Sequence, residues 1–311
     1  MDRRGFLTAG AALAVAAAGG WAGCATGSPG ARGALTLAGG EPGGTFIKLA
    51  RLLGRALEEQ ERFDETTVVF TDGTVENLDL LAAGRVDVAP ALADAAAGRT
   101  GLVAIAKVYQ TLLHCLVAAD SPVRTLSDLV GATVSVGPPR SGTAATAARL
   151  LQLVGAVPTD GVTRWLEQDP GDGAISLAGG TVDAMFWWGG EPAPEIESLS
   201  TVAGFRALDL GGYLPAANAV AMDVYQPARL PGSFYGQADV ATLGTSCFLL
   251  CRPDLADRVV REVTATVIGP ASALVPQPAG GIQYFVPATL ADTAPLRLHP
   301  AAAAVHRDGY G

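Results

Sequence analysis

The chain has 311 residues, 49% of them apolar and only 16% charged, with a net charge of −9. That is enough apolar residue for two domains with their own cores, and it excludes a disordered chain. An acidic chain with no basic run, and with lysine only at Lys48 and Lys107, is also poorly suited to nucleic acid.

The N-terminus reads as an export signal. Arg3-Arg4 precede an apolar run from Leu7 to Ala18, and Trp21-Ala22-Gly23-Cys24 follow. A basic start, a short apolar stretch and small residues before a cleavage point describe a secretory leader over 1–23, too short for a confident membrane span. Arg3-Arg4-Gly5-Phe6-Leu7 resembles a twin-arginine signal. Ala22-Gly23-Cys24 resembles a lipobox, which makes Cys24 the lipidated first residue of the mature chain, although Trp21 stands where that pattern has an aliphatic. Residues 24–34, with three glycines and a proline, are then a flexible tether.

Leu35 to Ala38 reads as the first strand, Gly39 to Gly44 as a glycine-rich loop, and Thr45 to Gln60 as a helix with Phe46, Leu49, Leu53 and Leu57 on one face. A strand at Thr67 to Phe70, a turn at Thr71 to Thr74 and a helix from Val75 to Ala83 follow, with Gly84 as the C-cap. Val86 to Ala89 is a short strand, and Leu102 to Lys107 and Leu112 to Ala118 are two more. Thr125 to Leu129 reads as a short helix and Ala132 to Val136 as a buried strand. A Pro/Gly loop and a helix opening at Ser141-Gly142-Thr143 come next. Further strands are expected at Val162 to Leu166, Val182 to Trp187 and Phe205 to Leu208. A long apolar run covers Val240 to Leu250, a helix Pro253 to Ile268, and an irregular segment Pro270 to Pro287. Strands alternating with helices argue for a mostly parallel α/β architecture.

The chain echoes itself. GTFIKLARLL from Gly44 matches GTAATAARLL from Gly142, and LLAAGRVD from Leu80 matches SLAGGTVD from Ser176, at spacings of 98 and 96. Two similarly built α/β lobes follow from this. Ligands of open α/β sheets bind where strands lead into helices. Each lobe would then present a helix N-terminus, with its free N–H groups and positive dipole end, to an anion.

The residues disfavour covalent chemistry. There is no G-x-S-x-G elbow, no S-x-x-K, and His114, His299 and His306 are the only histidines. His114 lies in an apolar run and reads as a packed strand residue. Cys115, Cys247 and Cys251 lack C-x-x-C spacing, so no metal site is expected; one disulfide among them, or three small buried hydrophobes, are both compatible with the spacing. GPPRSGT lacks the lysine of a phosphate-binding Walker loop. Neither cofactor nor metal is expected.

Ligand binding remains. In the second lobe the candidates are Arg140, which could pair with a carboxylate or be solvated, and Ser141, Gly142 and Thr143 at the helix opening. Phe186, Trp187, Gly190 and Pro192 would wall the pocket, or pack lobe on lobe. In the first lobe they are Gly43, Gly44, Thr45 and Phe46, then Thr74 and Asn77, then Asp94 and Tyr109, each with capping or packing as its alternative.

Taken together, GGTF (Gly43 to Phe46), GTVENLDLLAAGRVDVA (Gly73 to Ala89), Asp94, VYQTLLHCLV (Val108 to Val117), SPVRTLSDLVGATVSVGPPRSGT (Ser121 to Thr143), GGTVDAMFWWGGEPAPEIESL (Gly179 to Leu199) and LHPAAAAVHRDGYG at the end resemble the TAXI-type receptors of TRAP transporters. The resemblance covers about Leu35 to Tyr310. It implies the two-lobed type II periplasmic-binding-protein fold, mixed sheets flanked by helices with a ligand cleft between lobes, with residues 35–117 and 243–311 in lobe one and 118–242 in lobe two. It also implies capture of a small organic anion, such as glutamate or 2-oxoglutarate, for a multi-spanning TRAP permease. The family pattern has Gly at the position of Arg140, and often Tyr at Phe46, Ser at Thr74 and Glu at Gln110; smaller residues stand at Trp187-Trp188. These departures bear on the ligand, not the fold. The expected product is a monomeric, lipid-anchored, non-enzymatic binding protein outside the cytoplasm. The alternatives are the same fold presenting its ligand to a membrane receptor kinase, and an enzyme built on it.

Overall fold

The computed structural model describes residues 33–158, 162–269, 274–276, 283–284 and 286–310. The expected leader, Cys24 and the tether up to residue 32 lie outside the described residues. The first half is a βαβαβ unit. β1 (Ala34–Ala38) leads into α1 (Thr45–Glu59), whose buried face holds Ile47, Leu49, Leu53 and Leu57. β2 (Glu65–Val69), α2 (Thr74–Ala82) and β3 (Val88–Leu92) complete it, in the parallel order β2-β1-β3. Every residue of β3 is buried, as its apolar sequence requires of a central strand. The short α3 (Ala93–Ala96) and the long β4 (Val103–Ala118) follow.

The second half repeats the plan. A 3-10 turn (Leu126–Leu129), closed by a Thr125–Asp128 capping box, precedes β5 (Thr133–Ser135). Then come α4 (Gly142–Leu153), β6 (Arg164–Leu166), α5 (Pro170–Ala178) and β7 (Ala184–Gly189), in the parallel order β6-β5-β7. The repeat reaches individual bonds. Thr36 N donates to Asp87 Oδ2 at 2.8 Å and Asp87 N to Thr36 O at 2.9 Å; Thr133 N and Asp183 make the same pair of bonds, both at 2.8 Å. The aspartate of each VD echo thus ties the last strand of its unit to the first.

After α6 (Pro194–Ala203), β8 (Phe205–Ala207), α7 (Leu214–Val220) and β9 (Tyr225–Leu230), the chain runs back along β10 (Val240–Cys251). α8 (Asp257–Ile268), β11 (Gln283–Tyr284) and α9 (Pro300–Tyr310) end it. β4 and β10 pair antiparallel over Val103–Leu112 and Gly244–Cys251, and both extend past this overlap. β4 carries β7 over Leu112–Leu116 and β8 over Leu116–Ala118; β10 carries β3 over Cys247–Cys251 and β9 over Val240–Thr245. The two strands therefore belong to both halves, and the exchange of partners occurs at Leu112 and Gly244–Cys247.

The sheet is mixed, as expected of the type II fold, with four parallel and six antiparallel pairings among the described strands, because β4 and β10 run against their neighbours; the mostly parallel reading of the alternation holds only within each βαβαβ unit. The two strands expected at 102–107 and 112–118 are one, since Tyr109-Gln110-Thr111 continues the extended backbone instead of turning. Cys115, Cys247 and Cys251 are free and buried, so no disulfide links them. Burial pushes all three thiols up, that of Cys251 to about 12. His114 is a packed strand residue: its Nε2 donates to Gly189 O at 3.3 Å, its Nδ1 lies 2.7 Å from Tyr235 Oη, and burial lowers its pKa to about 3.

Removing a carboxylate that holds a strand's first N–H leaves a backbone donor unmet. Asp87→Ala is therefore expected to cost about 1–2 kcal/mol in urea unfolding, and Asp183→Ala less, because its bond is solvent-exposed. The two costs add in the double variant.

Candidate functional site

Three helix N-termini converge where the halves meet. A cavity of about 40 Å3 there is lined by Thr45 and Phe46 of α1, Gly73 and Thr74 of α2, and Ser141, Gly142 and Thr143 of α4. Leu92, Tyr109, Thr111 and Trp188 form its floor and walls, and the carboxyls of Glu41 and Asp72 complete it. No Lys, Arg or His is among these residues.

The helix openings are built locally. Ser141 caps α4 by accepting from Ala144 N at 3.0 Å, so the N–H groups of Gly142 and Thr143 have no intrahelical partner. Gly73 takes φ 114°, a conformation open to glycine, and turns the chain into α2. At Gly142 the halves touch. A Cβ there would lie 2.7 Å from Leu92 Cδ1 and 2.8 Å from Thr74 Oγ1, so only glycine lets α4 approach α2 this closely.

The halves are also hydrogen-bonded across the seam. Arg140 O accepts from Val75 N at 3.0 Å and Glu76 N at 3.2 Å, so a loop of one half caps the helix of the other. Asp94, whose side chain is fully buried, accepts through Oδ2 from Thr146 Oγ1 at 2.6 Å, Arg149 Nη1 at 2.7 Å and Tyr225 Oη at 2.8 Å. Thr146 Oγ1 in turn accepts from Trp188 Nε1 at 3.0 Å.

Of the residues singled out from sequence, Thr45, Phe46, Thr74, Tyr109, Ser141, Gly142 and Thr143 come together in this cavity. Gly43, Gly44 and Trp187 line a second, outer groove of about 200 Å3 with Pro42, Asp169, Asp172 and Glu195. The others are engaged elsewhere. The Arg140 guanidinium points away and pairs with Asp79 at 2.8 Å, half exposed. Its backbone has φ 61°, in the left-handed region, which gives a physical reason for glycine at this position in similar receptors. Asn77 is buried and spans Thr71 Oγ1, Gly39 O and Pro90 O, so it braces the first half. Asp94 holds the seam network. Phe186 is in the core, and Gly190 and Pro192 follow β7 outside the cavity lining. Strand alternation explains the tryptophans: Phe186 and Trp188 share one face of β7, while Trp187 faces the opposite apolar cluster.

Trp188, the second of the tryptophan pair read as a pocket wall, lines the cavity; Glu41, Asp72, Gly73, Leu92 and Thr111 are the lining residues that sequence reasoning missed. Glu41 and Asp72 had a readable signal, since each stands just before a glycine-opened helix. Glu41 is half-buried, and its pKa is raised to about 7, first by burial and then by the charges of Asp169 and Asp72. Asp72 is raised as well, by burial and then Glu76, with Arg140 acting in the opposite sense.

Residues 37–308, nearly the whole described chain, match the model of the NMT1-like family. The chain belongs to the NMT1-like family. Among solved structures it is similar to XAC2383 from Xanthomonas citri bound to ATP, at 14% identity and a TM-score of 0.55, over 88% of this chain and 97% of that one. It is also similar to a Bordetella bronchiseptica RB50 protein, at 13% identity and 0.53, over 89% and 98%. The alkanesulfonate-binding protein SsuA from Xanthomonas axonopodis pv. citri, bound to MOPS, is at 18% identity and 0.46, over 88% and 83%. This NMT1-like chain shares its α/β fold with XAC2383 and the Bordetella bronchiseptica protein. No helix among its described residues is long and apolar enough to cross a membrane.

The seam contacts differ in strength. Arg149→Ala leaves the Asp94 carboxylate buried without its cation and is expected to cost about 3 kcal/mol in urea unfolding. Arg140→Ala removes an exposed pair and is expected to cost less than about 1 kcal/mol. Arg140→Gly, which also relieves the left-handed backbone, should be more stable than Arg140→Ala by about 1 kcal/mol.

Glu41 gives a pH signature. Its folded pKa lies above the ordinary carboxyl value of about 4.5, so the folded state holds the extra proton between pH 4.5 and about 7. Stability from this group is complete below that window and falls as pH rises through it. Glu41→Gln should therefore match the wild type near pH 4 and exceed it by about 1–3 kcal/mol at pH 8, measured by urea unfolding.

Proposed function

We propose that the chain is an extracytoplasmic solute-binding protein that closes its two halves on a small polar organic solute and delivers it to a membrane transporter. The observation that carries this reading is the cavity at the seam, where N-termini of α1, α2 and α4 meet over a floor made by β4. Free helix N–H groups at Gly142 and Thr143 suit the carboxylate of an amino acid or organic acid, of the glutamate or 2-oxoglutarate class. The resemblance of the chain's motifs to TAXI receptors favours a multi-spanning TRAP permease as the recipient. The lipobox-like Ala22-Gly23-Cys24 favours a lipid anchor at Cys24 that keeps the protein beside it.

The cavity's size bears on mechanism. At about 10–15 Å3 for each water-sized centre, it holds about three. An amino acid needs more, so entry requires the halves to part. The hinge lies at Tyr109–Leu112 and Gly244–Cys247, where β4 and β10 exchange partners. A ligand that touches both α1 and α4 stabilises the closed form by its contacts to both jaws. Closure and release need no bond making: the cavity lining holds hydroxyls, carboxyls and aromatic rings, and neither His114 nor any of the three cysteines is among the lining residues.

A thermal-shift screen of the purified chain against amino acids, oxo acids and dicarboxylates tests this reading. A saturating solute at a hundredfold excess over its Kd should add about 2.7 kcal/mol of stability. A dose-dependent rise in Tm with one solute class is expected. No rise with any solute, together with no small molecule released on denaturation, would overturn it.

A further inference from the structure

The charge inside the cavity points to a narrower ligand class than the helix N-termini alone. Glu41 and Asp72 line it, and no cation does. Glu41 has no ion-pair partner among the described residues. A Cβ on Gly44 would lie 2.8 Å from Glu41 Oε1, and one on Gly73 would lie 3.7 Å from both Glu41 Oε2 and the Ser141 Cα of the other half. The carboxyl therefore stands on the seam itself, between the openings of α1 and α2 and facing α4.

A helix-capping role would explain an acid at such a place, and the chain shows how carboxylates that satisfy local donors behave. Glu58 accepts from Thr66 Oγ1 and N, Asp128 caps its 3-10 turn by accepting from Arg124 N and Thr125 N, and both have lowered pKa values because those O–H and N–H donors favour the charged form. Glu41 goes the other way, with burial and the neighbouring carboxylates outweighing its own backbone N–H. A group buried at a cost to its charged form, in the chamber where a ligand sits, belongs to the ligand's chemistry.

Resting on the solute-binding reading, we propose that Glu41 selects an amine-bearing solute. An ammonium group seats against the Glu41 carboxyl with Asp72 beside it, while the solute's carboxylate takes the N–H groups that open α4. Oxo acids and plain dicarboxylates offer no donor to an ionised Glu41 and meet the charge of Asp72; they can seat only as acceptors of the protonated Glu41 O–H, with proton uptake. Ligand binding then couples to a proton. An ammonium partner favours the ionised carboxylate, so Glu41 releases its proton as the halves close. The other charged groups around it are Asp72 and Glu76 at α2, Asp169 before α5, and Arg140, whose guanidinium is turned to Asp79.

Matched pairs that differ only in amine against oxo group isolate this effect: L-glutamate with 2-oxoglutarate, L-alanine with pyruvate, and L-phenylalanine with phenylpyruvate. Calorimetry at pH 7 in two buffers of different ionisation heat reads affinity and proton release together. In at least one pair the amino acid should bind at least tenfold tighter than its oxo partner and release protons. Glu41→Gln should lose tenfold or more for the amino acid, change the oxo acid less than threefold, and abolish the proton release. Glu41→Asp, which keeps the charge, should retain part of both. An oxo acid that binds as tightly as its amino partner, proton uptake on binding, or equal weakening of both ligands in Glu41→Gln would overturn the assignment. If only carboxylates without nitrogen bind, or only such a molecule is released on denaturation, this inference fails and the solute-binding reading stands. If nothing binds and nothing is released, both fail.

Discussion

β4 and β10 are the constraint on which the rest depends. Each is a single strand that pairs with strands of both halves within one continuous sheet, so the two βαβαβ units cannot be placed independently. Once the pair is formed, β3 is set against one end of β10 and β7 against the far part of β4. The helices that follow β1 and β5 then point their N-termini at the crossing. The site is a consequence of this topology: open α/β sheets expose ligands to the loops at strand carboxyl ends, and here two such ends are made to face each other.

Closeness at the seam is achieved with few atoms. Gly142 lets α4 reach Leu92 and Thr74, and the Arg140 carbonyl satisfies two of the first N–H groups of α2. That capping has a cost in backbone strain, since Arg140 must adopt φ 61° to do it. The stronger tie lies behind the cavity, where buried Asp94 gathers Thr146, Arg149 and Tyr225. A contact of this kind has two faces. It holds the halves in register when they are together, and it sets the work needed to part them, because separation would leave a carboxylate and a guanidinium to be rehydrated.

Much of this was legible in the sequence, for identifiable reasons. The echoes at Gly44/Gly142 and Leu80/Ser176 report repeated local structure, and Asp87 and Asp183 make the same bonds in both copies because the same turn requires them. Helix openings are equally local, which is why Thr45, Thr74 and Ser141 to Thr143 come together. What the sequence hid is tertiary. Nothing in the letters of 102–118 says that one strand joins both halves of the sheet. Arg140, read as a cavity cation, finds Asp79 across the seam, and Asn77 and Asp94 find partners far away in the chain. The choice between Trp187 and Trp188 depends on which face of β7 meets the cavity. A one-residue shift in a strand exchanges the faces, and composition carries no information about it.

The exchange of Arg140 for Glu41 as the charged group of the cavity changes what the site can discriminate. A guanidinium at the opening of α4 would add to the helix dipole and favour any dianion. A carboxyl does the reverse: ionised, it needs a donor from the ligand, and protonated, it has a single O–H to offer an acceptor. Such a group is also poised to respond to the ligand, because its pKa lies near neutral pH and a cationic neighbour would move it by an amount large enough to change its charge. Selectivity and closure then draw on the same atom. An ammonium group that ionises Glu41 gains an ion pair on the α1 side, and its carboxylate reaches α4 only when the jaws are together.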